Sequence, residues 1–367
     1  MLKLKGTLKI SGDKSISHRA LILSAMSTGR AKISNLLESD DVMRTLKILK
    51  ALGVKIIKDE NNWIVYGNGT NGFIEPDNSL NCGNSGTTAR LMIGAVSSNP
   101  ITCTFIGDSS LSKRSMSRVT KYLEKMGADV HLTNKNYLPL LISGTEQLLP
   151  MKLKVLKASA QIKSALILAA LNVHGKTKII ENTPTRDHTE KLLRYLDVNF
   201  KIRRLSNKVK QIELNGPYEI KAKDIEVAGD PSSASFFIVG ALIIPRSSIT
   251  VKNVMLNPTR IAFLDVLKNM GGKIKVKRTK KICGEDVGNI QVKYSVLKGV
   301  NIPSSKSAFL IDEYPILSIA ASQAKGKTIM KGLEELRYKE SDRIKSIIYN
   351  LKKVGIEIRE KDNNLTI

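Results

Sequence analysis

A pattern repeated five times constrains this chain more than any other feature. Each copy opens with a small, polar stretch that leads into an Ala/Leu/Ile-rich helix and a β-type run. A second helix with apolar spacing follows, ending in a Gly and another β-type run. The first copy opens at Ser11 (SGDKSISHRALILSAM) and closes with LKILKALGVKI. The second opens at Cys82 (CGNSGTTARLMIGAV) and closes with VTKYLEKMGADV. For the third only the opening at Lys157 stands out (KASAQIKSALILAALNVHGKTKI). The fourth runs from Ala228 (AGDPSSASFFIVGALI) to FLDVLKNMGGKI, and the fifth from Asp312 (DEYPILSIAASQAKGKTI) to IIYNLKKVGIEI. The openings lie 71, 75, 71 and 84 residues apart. Such a period means that one supersecondary unit is used repeatedly.

The physical basis is legible in each copy. Leu and Ile three and four residues apart give the closing helix one apolar face. The Gly after it ends the helix in a left-handed turn. The run beyond, such as Val54-Lys55-Ile56, alternates like a half-buried strand. Ser, Asp, Asn and Thr precede the helices, as N-caps do. Residues 53–65 (GVKIIKDENNWIV) and 355–367 (GIEIREKDNNLTI) match in length and pattern. The first copy continues to Asn81 and feeds a new repeat; the fifth stops at Ile367, which reads as a chain cut off rather than finished.

Composition narrows the class. With 42% hydrophobic residues the chain buries a full core, and its 367 residues suggest two domains. The longest apolar stretch, Phe236 to Ile244, is too short to span a membrane, and the N-terminus lacks the apolar run of a signal peptide. Cys82, Cys103 and Cys283 form no CxxC, and none of the four histidines is paired at metal spacing. The expectation is a soluble cytoplasmic α/β protein without a metal. The net charge of +26 favours anions. It has no long basic block, and aromatics are only 5%, so stacking platforms for nucleic acid are scarce. Much of the lysine, such as Lys47, Lys50, Lys352 and Lys353, reads as solvated helix faces.

Several polar clusters stand at helix openings. Lys14-Ser15-x-Ser17-x-Arg19 places two cations and two hydroxyls where free N–H groups already favour an anion. Asn84-Ser85-Gly86-Thr87-Thr88-x-Arg90 is similar, with Gly86 leaving the backbone open to close approach. Arg114, in the GDSSLSKR loop, has the fork that clamps a carboxylate or phosphate. Ser159 and Gln161 open the third copy. Asp312-Glu313 follows an apolar, strand-like run, Ala308 to Ile311, and reads either as a general base or as an N-cap. Arg337 to Arg343 packs three cations and two carboxylates into seven residues, which on a surface helix would pair three and four residues apart. Each cluster taken alone reads at least as well as an ordinary cap, turn or solvated face.

Taken together, SGDKSISHRA, ESDDV, NSGTTARL, GDSSLSKR, SAQIKSAL, TRDHTE, GDPSSASFF, IDEYP and LRYKESDR occur in one order, from about Gly12 to Ile367. That series resembles the 5-enolpyruvylshikimate-3-phosphate synthases, the 3-phosphoshikimate 1-carboxyvinyltransferases. The resemblance implies an α/β, two-lobed enolpyruvyl transferase fold of six βαβ-type repeats, of which five are present here. It implies a first lobe over residues 13–227 (repeats one to three) and a second over 1–12 plus 228–367 (repeats four and five). The absent sixth repeat is the one in which the family carries an Asp-His-Arg motif and a late Lys.

The activity implied is transfer of the enolpyruvyl group of phosphoenolpyruvate to the 5-hydroxyl of shikimate 3-phosphate, with release of phosphate, on the route to chorismate and the aromatic amino acids. The resemblance implies no cofactor and no metal, small anionic substrates, neither nucleic acid nor membrane as partner, and a monomer. Lys14, Ser15, Arg19, Ser159, Gln161, Thr185, Asp312 and Lys339 match shikimate-3-phosphate contacts. Lys14, Gly86, Arg114, Gln161 and Arg343 match phosphoenolpyruvate contacts. Asp312 matches the proton acceptor and Glu340 a proton-transfer partner. Ala160 stands for a family Ser, Leu91 for a Pro, Ser115 for the Pro of an Arg-Pro pair, and Glu335 where some members have Asn.

Three other readings share part of this pattern. The enolpyruvyl transferase acting on UDP-N-acetylglucosamine has Asn after the first Lys and a reactive Cys before the matching Arg, where this chain has Ser15 and Ser109. An RNA 3'-phosphate cyclase-like protein shares the architecture and suits the basic charge, but not the KESDR and NSGTT motifs. A non-catalytic, truncated remnant follows from the absent repeat.

Overall fold

The computed structural model describes residues 3–206 and 209–367. The chain opens with strand β1 (Lys5–Lys9). The first repeat then gives α1 (Lys14–Ala25), β2 (Thr28–Ser34), α2 (Asp40–Ala51), β3 (Lys55–Asp59) and β4 (Asn62–Asn68). The second gives β5 (Leu80–Asn81), α3 (Gly86–Val96), β6 (Thr102–Ile106), α4 (Ser117–Met126), β7 (Asp129–Thr133) and β8 (Tyr137–Ser143). The third gives β9 (Lys152–Val155), α5 (Ala160–Ala170), β10 (Gly175–Glu181), α6 (His188–Tyr195), β11 (Lys201–Arg204) and β12 (Lys210–Gly216), followed by β13 (Ile225–Glu226). The fourth gives α7 (Pro231–Ile243), β14 (Ser248–Met255), α8 (Ala262–Asn269), β15 (Lys273–Ile282) and β16 (Glu285–Lys293). The fifth gives β17 (Asn301–Ile302), α9 (Ser307–Leu310), α10 (Tyr314–Ser322), β18 (Ile329–Met330), α11 (Arg343–Lys353), β19 (Arg359–Lys361) and β20 (Asn364–Thr366).

Every repeat builds the same four-stranded sheet. Its first two strands run parallel across a helical crossover, and a closing hairpin adds two antiparallel strands with the last one inside. The orders β5-β6-β8-β7, β9-β10-β12-β11 and β17-β18-β20-β19 are self-contained. The other two sheets take their first strand from elsewhere in the chain. β13 completes β2-β4-β3, and β1 completes β14-β16-β15. The chain accordingly divides into two compact units, residues 14–227 and residues 1–13 with 228–367.

Within the 14–227 unit the opening helices α1, α3 and α5 are buried on almost every side. This is why their sequences are Ala-, Leu- and Ile-rich rather than striped. Gly94 lets α3 and α5 touch backbone to backbone: a Cβ there would lie 2.3 Å from the Ala165 carbonyl oxygen. The closing helices bury one face, as with Val119, Tyr122, Leu123 and Met126 of α4. In the other unit Ile238, Val251, Phe263, Leu267, Ile290, Tyr314 and Leu351 belong to one apolar core.

Gly127 follows α4 at φ 107, and a Cβ there would meet nothing within 4 Å. Gly127→Ala is therefore a pure test of backbone strain. It is expected to cost about 1 kcal/mol of stability, read as a lower midpoint in urea at unchanged slope. An unchanged midpoint would show that another ending serves α4 equally well.

Three local expectations are corrected. Ala308 to Ile311 is not a strand: α9 and the turn after it occupy it, because the segment packs Leu310 into the core as a single helical turn. Asp312 does not cap α10, whose N-cap position is Glu313 without a capping bond. Arg337 to Arg343 is not a surface helix but a 3-10 turn over Glu334–Tyr338 and a loop, with only Arg343 inside α11.

Candidate active site

In the 14–227 unit, Lys14 is the first residue of α1, and its Nζ lies 3.0 Å from Asp41 Oδ2 on α2. The Asp41 carbonyl accepts from Thr88 Oγ1 at 3.1 Å, so α1, α2 and α3 are tied at one end. Ser15 is half-buried. Arg19 is only 4% exposed: it donates to the Ser15 carbonyl (2.8 Å), to Thr189 Oγ1 (2.7 Å) and to Ser164 Oγ (2.7 Å). A guanidinium held by three helices keeps its charge in place when a ligand arrives.

The opening of α3 is capped by Ser85, whose side chain accepts from Thr88 N. Arg114 reaches over it and donates to the Asn84 carbonyl at 2.6 Å and to Asn84 Oδ1. Asn84 in turn donates to Asp108 Oδ2 at 2.6 Å. Burial pushes the Asp108 carboxyl up, but the backbone N–H groups of Leu111 and Ser110, Asn84 and the Arg114 charge hold it below the usual carboxylate range. Ser159 caps α5 by accepting from Ile162 N. Gln161 Oε1 accepts from Arg90 Nη1 at 2.8 Å, and its Nε2 donates to Thr87 Oγ1 at 2.9 Å. The space beside Gly86 is occupied by Arg90, not left open: a Cβ on Gly86 would lie 2.7 Å from Arg90 Nη1 and 3.3 Å from Arg114 Nη1.

Thr185 donates to Glu181 Oε1 at 2.5 Å. Glu181 belongs to a buried ionic triad in which Lys163, 1% exposed, lies 3.1 Å from Glu181 and 2.7 Å from Glu190. Burial lowers the Lys163 ammonium's proton affinity, but the two carboxylates outweigh it and hold it above the usual range. Glu190 neighbours Thr189, so the triad and Arg19 fasten the same turn of α6.

In the unit of residues 1–13 and 228–367, Arg343 gathers the charged candidates. Its Nη1 lies 3.0 Å from Asp312 Oδ1 and donates to the Ile311 carbonyl at 3.1 Å, and its Nη2 lies 2.9 Å from Glu340 Oε2. Burial would weaken the Arg343 guanidinium's hold on its proton, but Asp312 and Glu340 tighten it. Lys339 is half-buried, and its ammonium is pushed down by that burial despite Glu335 and Asp312. Asp342 caps α11 through Lys345 N and pairs with Arg337 at 2.8 Å, which fixes the loop carrying Lys339 and Glu340.

Behind Asp312 sits a group that motif reading passed over. Arg260, 3% exposed, lies 2.6 Å from Asp13 and 3.1 Å from Asp230, and donates to Ser232 Oγ at 2.8 Å. Ser232 donates onward to Glu313 Oε1 at 2.5 Å.

The sequence profile of EPSP synthase (3-phosphoshikimate 1-carboxyvinyltransferase) matches residues 1–367. A 3-phosphoshikimate 1-carboxyvinyltransferase from Zymomonas mobilis is 45% identical over 365 residues, covering 99% of this chain and 80% of that protein. The enzyme of that name from Sphingopyxis alaskensis is 43% identical, covering 99% of this chain and 83% of its own length. The chain belongs to the EPSP synthase family. The solved structure of EPSP synthase from Acinetobacter baumannii superimposes with a TM-score of 0.88 at 37% identity, over all of this chain and 82% of that one. An enolpyruvyl transferase from Streptomyces tendae, at TM-score 0.72 and 15% identity, shares the fold.

Family membership puts the two constellations in context. In one unit, Lys14, Gly86, Arg114, Ser159, Gln161 and Thr185 stand on helix openings or the loops beside them, and Arg19 lies further along α1. In the other, Asp312, Lys339, Glu340 and Arg343 stand together around one guanidinium. Motif reading named Arg90 only as the end of the α3-opening cluster, without a role of its own, and missed Lys163 and Arg260. The last two have partners distant in sequence. Arg90 lay in view within NSGTTARL, four residues after Gly86 on the same helix.

Proposed function

We propose that this chain transfers the enolpyruvyl group of phosphoenolpyruvate to the 5-hydroxyl of shikimate 3-phosphate and releases phosphate. The observation that carries the reading is the Asp312–Arg343–Glu340 cluster, which holds two carboxylates by one cation in a chain of this family. Asp312, paired with Arg343, takes the proton of the 5-hydroxyl as its oxygen bonds to the enol carbon. Glu340 delivers a proton to the methylene carbon. The tetrahedral intermediate then returns a methyl proton to Glu340, re-forms the double bond and expels phosphate. Lys14, Arg114 and Lys339 supply positive charge against two substrates that are themselves multiply anionic. Arg19, Ser159, Gln161 and Thr185 are assigned to shikimate 3-phosphate, and Gly86, Arg114 and Arg343 to phosphoenolpyruvate.

The same reading takes the protein as a cytoplasmic monomer of the shikimate pathway with small anionic substrates and neither nucleic acid nor membrane as partner. Among the described residues no helix is long and apolar enough to cross a membrane. The test is phosphate release from the two substrates together, with shikimate 3-phosphate binding followed in the same titration. Release that requires both substrates is the expected result. Neither binding nor release would overturn the reading.

A further inference from the structure

We propose that Arg90 is a positioning residue for this reaction, the shared brace of Gly86, Gln161 and the Arg114 loop. The proposal rests on the function proposed above. Arg90 lies four residues after Gly86 on α3, so its side chain can lie over the N-terminal turn of that helix. There it makes three contacts to three candidate ligand-binding segments. Nη1 donates to Gln161 Oε1 at 2.8 Å and to the Gly86 carbonyl at 3.4 Å, and Nη2 donates to the Ser115 carbonyl at 3.1 Å, next to Arg114. The Gln161 amide is thereby oriented: its oxygen faces Arg90, and its Nε2 donates to Thr87 Oγ1 at 2.9 Å.

The space Arg90 uses exists because residue 86 has no side chain. A Cβ there would stand 2.7 Å from Nη1, closer than packing allows, and the flexible end of Arg90 would yield before the backbone did. Gly86→Ala and loss of the Arg90 fork therefore have the same consequence: Gln161 is released from one partner and the Ser115 carbonyl from another. The glycine and the arginine act as one device, and its failure is a loss of order around phosphoenolpyruvate rather than a loss of a reacting group.

A double-mutant cycle on phosphate release tests this. Gly86→Ala and Arg90→Met are each expected to raise the KM for phosphoenolpyruvate about tenfold, the loss of roughly one hydrogen bond to a charged donor, with kcat changed less than about threefold. The double variant is expected to stay near the single ones instead of approaching about a hundredfold, because both changes remove the same contacts. Arg90→Lys keeps the charge but not the fork, and is expected to resemble Arg90→Met. A second readout needs no turnover: the side-chain amide signal of Gln161 in a 15N–1H spectrum, identified by its disappearance in Gln161→Glu, should move toward the position of a free glutamine in Arg90→Met and in Gly86→Ala. Additive KM effects, a normal KM in Arg90→Lys, or an unmoved Gln161 signal would overturn the proposal. If the unaltered chain releases no phosphate, the proposed function fails while the amide signal still decides the role of Arg90.

Discussion

Asp312→Asn is expected to lower the rate of phosphate release about a thousandfold, within the range that a positioned general base contributes. The amide keeps the shape of the carboxylate and an oxygen for Arg343 to meet, so the geometry around Nη1 is retained while the ability to take a proton is lost. The side chain of Asp312 is 31% exposed, so the change removes no buried packing. Shikimate 3-phosphate should still bind within about threefold, because a hydrogen-bonding group remains. The two measurements together separate chemistry from binding. A release rate within tenfold of the unaltered chain would assign the hydroxyl proton to another group, with Glu340, on the other arm of Arg343, the first to examine.

Arg260→Met is expected to destabilise the unit of residues 1–13 and 228–367 by about 3–5 kcal/mol, because breaking a buried ion pair leaves its partners without compensation. Asp13 is fully buried and Asp230 nearly so, and both face the guanidinium. The pH dependence gives the test its sign. Burial, then the Asp13 charge, raises the Asp230 carboxyl above its ordinary range, while Arg260 pulls it down. A carboxyl raised in the fold binds its proton more tightly there than in the unfolded chain, so ionising it opposes folding and stability is lost as pH rises toward the folded value. Without Arg260 that opposition grows. The stability deficit of Arg260→Met should therefore be largest at pH 7 and shrink on titration to pH 5. A deficit below about 1 kcal/mol, or one that does not change with pH, would show that the two aspartates are compensated by something other than Arg260.

Much of the architecture is legible in the sequence because each repeat is punctuated locally. Gly53, Gly127, Gly271 and Gly355 follow four closing helices, all at positive φ. The third closing helix escaped notice because Asp197, at φ 60, stands where the others have glycine. Asp197 is held there in part by Lys223, 2.5 Å away, a partner that local pattern cannot reveal. Short range also explains why Ala308 to Ile311 resembled a strand: four apolar residues carry no period long enough to tell a helical turn from an extended run. Around the candidate site, residues on helix openings were legible because caps and anion sites share a vocabulary of Ser, Asn, Gly and Lys. The bracing that fixes Arg19 and the buried triad of Lys163 were not, since both lie in contacts with α5, α6 and β10 that only the packed unit supplies.

The borrowed strand β1 has a consequence for the newborn chain. Leu4 N donates to Ser247 Oγ, 243 residues away, and β1 runs parallel to β14 from Lys5↔Ser248 to Lys9↔Lys252. The 14–227 unit completes its first sheet with its own last strand, so all its parts are on hand once Glu226 has left the ribosome. β1, made earliest, has no partner until β14 emerges. At roughly 5–20 residues per second that wait is on the order of ten seconds to a minute. Throughout it the segment is an unpaired edge, and Lys5 and Lys9 are the charges that discourage such an edge from joining a neighbouring nascent chain. The lysines of KGTLK thus serve the ribosome-bound chain as much as the finished fold.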